Sequence, residues 1–145
     1  MSTPEERARQ RIDTLLEKRG WHIQDYRRLD PAAGRGIALH DIRLVQRRFD
    51  YLLLVDRQAV GVIRARPRGT TLPAVAEQDG PHAVNLPDFA AQLFPAGVAK
   101  IPFVYESTGL ETTFRDERDP RPRSRPVTAI HRPETLAKWL AEPPD

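Results

Sequence analysis

A mixed α/β fold, with helices packed on one central sheet, is what the order of patterned segments in this chain predicts. Three observations point to it. A capped amphipathic helix opens the chain, and a hairpin of two strongly apolar strands, Phe49 to Arg66 (FDYLLLVDRQAVGVIRAR), sits near its middle. The remainder runs through helical segments to further short strands and a closing helix. At 145 residues, with 39% apolar and 30% charged side chains, the chain suits one soluble globular domain with a real core.

The opening helix is predicted over residues 3–19. Thr3 serves as N-cap, Pro4 suits the first helical position, and Glu6 completes a T-x-x-E capping box. Ala8, Ile12, Leu15 and Leu16 form one apolar stripe, and Gly20-Trp21 reads as a Schellman-type stop. Glu5, Glu6, Arg7, Arg9 and Arg11 read as a solvated face. Residues 30–36 (DPAAGRG) form a loop. Gly36 to Leu44 reads as a strand with Ile37 and Leu39 inward and a bulge near His40-Asp41. In the hairpin, Tyr51 to Val55 and Val60 to Ala65 are the strands and Asp56-Arg57-Gln58 the turn.

Leu72 to Val84 reads as a helix broken at Gly80-Pro81, and Pro87 to Phe94 as a second short helix. Ile101 to Tyr105 is a buried strand leading into a turn at Glu106-Ser107-Thr108-Gly109, and Glu111 to Phe114 is another short strand. Residues 115–125 (RDERDPRPRSR) form a loop with five arginines against three acids. Val127 to Ile130 is a last strand, and Pro133 to Leu140 a last helix with Leu136, Trp139 and Leu140 on one side. No internal repeat is visible.

Composition excludes several classes of function. Without cysteine there are neither disulfides nor thiolate metal sites. No apolar run reaches the length of a membrane span, and the charged start, MSTPEERARQ, lacks a signal core, which places the protein in the cytoplasm by expectation. The net charge of +3 and the basic pI rest on arginine, with only three lysines. Guanidinium forks match phosphate geometry, so DNA is a natural partner.

Chemistry concentrates at the mouth of the hairpin. Asp50 opens the first strand, and Arg64 and Arg66 close the second. Charges at the mouth of a buried hairpin require compensation, which makes this a candidate site. Arg64 and Arg66 lie two apart on a strand and share a face, and Arg68 follows in the same RARPR run. Three readings stand side by side: surface arginines paired with Asp50 and Glu77, a phosphate-binding cluster with Arg64, Arg66, Arg68 and His82, or catalysis through other ligands.

Six segments, in order, resemble the N-terminal endonuclease domain of the R (restriction, motor) subunit of type I restriction enzymes, within the PD-(D/E)XK restriction-endonuclease-like superfamily. They are TPEERARQRIDTLLEKRGW, GIALHDIRL, FDYLLLVDRQAVGVIRARPRGTTL, EQDGPHAVNLPD, IPFVYESTGLETTFRDERDPRPRSR and HRPETLAKWL. The resemblance spans nearly the whole chain. It implies a restriction-endonuclease-like fold, a central mixed β-sheet flanked by helices, forming a single domain over residues 1–145. It also implies a role in defence against foreign DNA beside helicase motor domains and modification and specificity subunits.

In that family the hairpin carries a Mg²⁺-dependent nuclease site. One acid opens the first strand, and a Glu-x-Lys pair fourteen residues on ends the second. The opening acid corresponds to Asp50, but Arg64 stands at the glutamate position and Arg66 at the lysine position. The downstream Q-x-x-x-Y element keeps Gln78 and has His82 for its tyrosine. Mg²⁺ needs oxygen ligands, and a guanidinium has only donors. At about 4 Å, with an effective dielectric near 20, an arginine repels a divalent ion by several kcal/mol. Asp50 is therefore expected to pair with Arg64, and Arg66 is a poor proton-transfer group. Glu6, Asp41 and Glu77 are the acids left to rescue a metal, with Glu6 already occupied as a cap. His40 and His82 are weak candidates for a transition metal.

The sequence thus predicts a nuclease-like domain with a degenerate site, binding DNA or docking to a partner, and requiring no cofactor. The alternative is an active Mg²⁺-dependent endonuclease. No Walker A loop is present, so ATP binding is not expected of these residues.

Overall fold

The computed structural model describes residues 3–41, 50–72 and 101–142. Within them a seven-stranded mixed sheet runs in chain order from β1 to β7. The strands are β1 (His22–Asp25), β2 (Gly36–His40), β3 (Tyr51–Val55), β4 (Gln58–Ala65), β5 (Phe103–Ser107), β6 (Thr112–Asp116) and β7 (Arg125–Val127). The β1–β2 and β4–β5 pairs are parallel and the other four are antiparallel. Helices α1 (Pro4–Lys18) and α2 (Pro133–Ala141) complete the α/β architecture. No helix among the described residues is long and apolar enough to cross a membrane.

The opening helix forms as its sequence dictates. Thr3 Oγ1 accepts the Glu6 amide at 3.1 Å, and Ala8, Ile12 and Leu16 are its buried stripe. At the other end the Trp21 amide reaches back to the Leu16 carbonyl and the Gly20 amide to Glu17, with Gly20 at φ 86°. This is the Schellman geometry in which only glycine is unstrained.

The central strands are buried on both faces. One core joins Ala38, Tyr51, Leu53, Ile63, Phe103, Tyr105 and Phe114 to α1, Trp21, Ile130 and Leu136 of α2. The second holds Ile37, Leu39, Leu52, Leu54, Ala59, Val62, Ile101 and Val104 on the opposite face. Alternation along each strand feeds both cores. A bulge in the β3–β4 pairing, where Leu53 faces Gly61 but Leu54 faces Ala59, shifts the phase of β4 so that Val60 and Ile63 join one core and Ala59 and Val62 the other.

Several boundaries differ from the sequence reading. The hairpin turn has two residues, Asp56 and Arg57, both at positive φ, because Val55 already pairs with Gln58. The second strand therefore starts at Gln58. The strand from Gly36 ends at His40, and Asp41 turns away at φ 60°. β5 is shifted two residues, so Glu106 and Ser107 belong to a strand rather than a turn. Both ends of the arginine-rich loop are strand, in β6 and β7, and the last strand is Arg125–Val127 instead of Val127 to Ile130. β1 was not expected at all. Apart from Leu72, the helices read over 72–84 and 87–94 lie outside the described residues.

Candidate functional site

The topology converges the hairpin mouth on one spot. β3 is antiparallel to β4, so its start lies beside the end of β4, and Tyr51 pairs with Ile63. β5 is parallel to β4, so their ends coincide, with Arg64 opposite Glu106 and Ala65 opposite Ser107. The ladder continues one residue further through the Arg66 amide to the Ser107 carbonyl, and Pro67 follows. A proline has no N–H to extend the ladder.

Asp50 is buried, and both of its carboxylate oxygens accept hydrogen bonds. Oδ2 takes the Ala65 amide at 2.7 Å, and Oδ1 takes Nη1 of Arg9 at 3.3 Å. Arg64, expected beside Asp50, brings its Nη1 to 3.7 Å from Glu106 Oε1, an acid the sequence reading did not connect with it. Arg66 brings Nε and Nη2 to the two oxygens of the same carboxylate, at 3.3 Å each. Glu106 is thus gripped by Arg64 and Arg66 from the end of β4. Their common orientation follows from the two-residue spacing on β4. Arg68 lies beyond the strand end, exposed.

Helix α1 contributes two more cations. The Tyr51 hydroxyl sits 2.9 Å from the Arg9 carbonyl and 2.6 Å from Asp13 Oδ1, clamping the helix to β3. Burial pushes the Tyr51 phenol well above its ordinary pKa, and the neighbouring Asp13 adds to the shift. Asp13 is itself pushed up by burial, against the lowering effect of the Tyr51 hydrogen bond. Arg11 donates Nε and Nη2 to the Thr108 carbonyl at 3.1 and 2.8 Å. Arg9 and Arg11, read from sequence as a solvated face, are therefore committed to the mouth.

Among the described residues the mouth gathers four guanidinium groups, from Arg9, Arg11, Arg64 and Arg66, against two carboxylates, Asp50 and Glu106. Its balance favours an anion. Around the rim, Ser107 and Thr108 satisfy the turn backbone: Ser107 Oγ accepts the Gly109 amide at 3.0 Å, and Thr108 Oγ1 accepts the Glu111 amide at 3.0 Å. Ser107, at the end of β5, and Thr108, just after it, thus satisfy the backbone of the turn that follows.

The remaining candidates fall elsewhere. Glu6 is exposed in the first turn of α1. Gln78, Glu77 and His82 lie outside the described residues. Asp25, His40 and Asp41 bring one ligand atom each to within 4.8 Å of one another, since Asp25 pairs with His40 across the parallel strands. Arg27 already bridges this group, with Nε 2.8 Å from Asp25 Oδ1 and Nη2 3.2 Å from Asp41 Oδ2. The Arg27 hydrogen bonds hold the Asp25 carboxyl well below the usual carboxylate range. A divalent ion would have to displace that guanidinium, so the donor set fits a metal poorly.

Glu106 was missed from sequence because it was assigned to a turn. The available signal was an acid directly following an uninterrupted apolar strand (IPFVY). Comparison with known protein families, curated proteins and solved structures finds no match.

Proposed function

We propose that this domain is a nuclease-like relative of the type I restriction R-subunit N-terminal domain, with a restriction-endonuclease-like fold, that binds DNA at the hairpin mouth without cutting it. The observation that carries the reading is the commitment of Asp50, the motif carboxylate that remains. Asp50 has both oxygens occupied by Arg9 and the Ala65 amide, and Arg64 fills the position of the metal-binding glutamate. A buried guanidinium against Glu106 opposes a divalent cation there, whereas four arginines suit a phosphate backbone. In this reading the domain works beside helicase motor domains and the modification and specificity subunits of a type I complex, contributing contact with DNA rather than hydrolysis.

One observation favours a second reading. Glu106 places a carboxylate across from position 64, so an acid is retained next to the spot where the family's glutamate would stand. An active Mg²⁺-dependent endonuclease would then use Asp50 with Glu106, after displacing Arg64 and Arg66 from it.

Plasmid incubated with the protein and Mg²⁺ or Mn²⁺ separates the two. Intact plasmid is the expected result, while cleavage that disappears in both Asp50→Ala and Glu106→Gln establishes the nuclease reading. DNA contact is checked by fluorescence anisotropy across salt concentrations. Affinity should fall steeply with salt as counterions are released, and salt-insensitive or absent binding would point to protein docking instead.

A further inference from the structure

A second basic site lies away from the hairpin mouth. Between the end of α1, β7 and the start of α2 there is an open surface recess of about 580 Å³. Arg19, Arg125 and Arg132 line it, together with Thr128, His131 and Thr135, and no acidic residue does. Among the described residues none of the three arginines forms an ion pair with a carboxylate. The mouth differs here, because each of its acids is already held by arginine.

The groups around the recess are held by the fold. Trp21 donates Nε1 to the His131 carbonyl at 3.0 Å, fixing the segment before α2 against the end of α1. Arg125 stacks its guanidinium over the Phe114 ring, 5.7 Å from the centroid. His131 Nδ1 shares a 2.7 Å hydrogen bond with the Tyr105 hydroxyl, and its ring packs edge-on to Phe114 and Trp139. Helix α2 begins at Pro133 with Arg132 as N-cap, which provides no side-chain hydrogen bond to the first turn. The Thr135 and Leu136 amides donate to the Arg132 carbonyl, and Glu134 is the one acid in that first turn, outside the lining of the recess. Burial first, then the charges of Arg125 and Arg19, hold the His131 imidazole below its ordinary pKa.

We propose that this recess is a binding site for a terminal phosphate, carried either by a small phosphate ester or by the end of a nucleic acid strand. Three cations line one recess with no acid among the lining residues, and a phosphate dianion supplies the missing countercharge while accepting several charge-assisted hydrogen bonds. Thr128 and Thr135 add hydroxyl donors. The site is independent of the reading of the hairpin mouth.

Calorimetry with inorganic phosphate, at fixed ionic strength with chloride as the comparison ion, tests the proposal. Saturable phosphate binding is expected, weakened about tenfold for each guanidinium removed in Arg19→Gln and Arg132→Gln. Both side chains sit at helix ends, away from the core. Arg66→Gln should leave phosphate affinity unchanged while weakening duplex DNA binding, which separates this site from the mouth. In the unaltered protein, phosphate should shift the NMR resonances of the His131 imidazole, a readout that needs no variant. Adenosine monophosphate and an oligonucleotide with and without a 5′-phosphate identify the source. Tighter binding of the phosphorylated oligonucleotide than of the monophosphate assigns a strand end, and parity assigns a small ester. Phosphate binding no stronger than chloride, affinity undiminished in both variants, or unmoved His131 resonances would overturn the proposal.

Discussion

Replacing Glu106 with glutamine removes one charge and almost no volume from the hairpin mouth, and its two consequences run in opposite directions. Glu106 is 2% exposed, faces Arg64 at 3.7 Å and accepts two hydrogen bonds from Arg66 at 3.3 Å. Taking one partner from a buried ion pair costs about 3–5 kcal/mol, because the remaining charge stays buried without compensation. Arg66 is 29% exposed, so water recovers part of its loss, and glutamine keeps one acceptor oxygen. A destabilisation of about 2–3 kcal/mol is left. With a urea m-value of about 2 kcal/mol per molar, the unfolding midpoint should fall by roughly 1 M. Meanwhile the excess of positive over negative groups at the mouth grows by one. DNA affinity measured by anisotropy should therefore rise, with a salt slope steeper by about one unit. A midpoint within about 0.2 M of the parent would show that the Glu106 pairs contribute nothing to stability. Weaker DNA binding by a folded variant would place the DNA elsewhere than the mouth.

Two further predictions concern the elements that hold the mouth and the recess. Gly109 and Gly20 share φ 86°, but a methyl group at Gly109 would lie 2.4 Å from Arg11 Cβ whereas at Gly20 it meets nothing within 4 Å. Gly20→Ala should cost about 1 kcal/mol, the left-handed backbone penalty alone, and Gly109→Ala about 3 kcal/mol. Equal urea midpoints would show that the turn yields freely around Arg11. His131 has its pKa held below the ordinary value by burial and by Arg125 and Arg19, with the Tyr105 hydroxyl facing it from β5. The unfolded chain then binds the proton more readily, so this contribution to stability is complete above about pH 6.5 and is lost as pH falls through the folded-state pKa. His131→Gln should show a flatter urea midpoint across that acid window, and a parallel decline in both proteins would refute the assignment.

How much of this was legible from sequence depends on whether the signal was local. α1 could be read because its cap, stripe and Gly20 stop all lie within one helix, and β3 and β4 because continuous apolar runs mark strands buried on both faces. β1 could not. His22–Asp25 is short, mostly polar and at a sheet edge, and it is a strand because it pairs with β2, more than ten residues away. β7 was misplaced for a similar reason. Val127, Ala129 and Ile130 look like a strand, but the pairing sits at Arg125–Val127, where Pro126 is tolerated on an edge, while Ile130 is buried in the core that also holds Trp21.

The charged site shows the same division more sharply. Sequence spacing put Asp50, Arg64 and Arg66 at one end of a hairpin, and they are there. Their partners came from elements that spacing does not connect. Arg9 arrives from a helix 41 residues away because the Tyr51 hydroxyl anchors that helix, and Glu106 arrives because β5 runs parallel to β4. The spacing could therefore show two arginines beside Asp50, but not the paired cation cluster they form around Glu106. That distinction matters for function. An arginine that merely displaced a ligand would leave a loose surface charge, whereas Arg64 and Arg66 fixed on Glu106 keep their remaining donors in a defined direction. At the α2 recess the cations face a cavity without any acid, so the two basic regions should respond differently to salt. DNA at the mouth should be lost steeply with salt, because its condensed counterions are released on binding. A small phosphate has none to release, so its affinity at the recess should fall more gently, through screening alone.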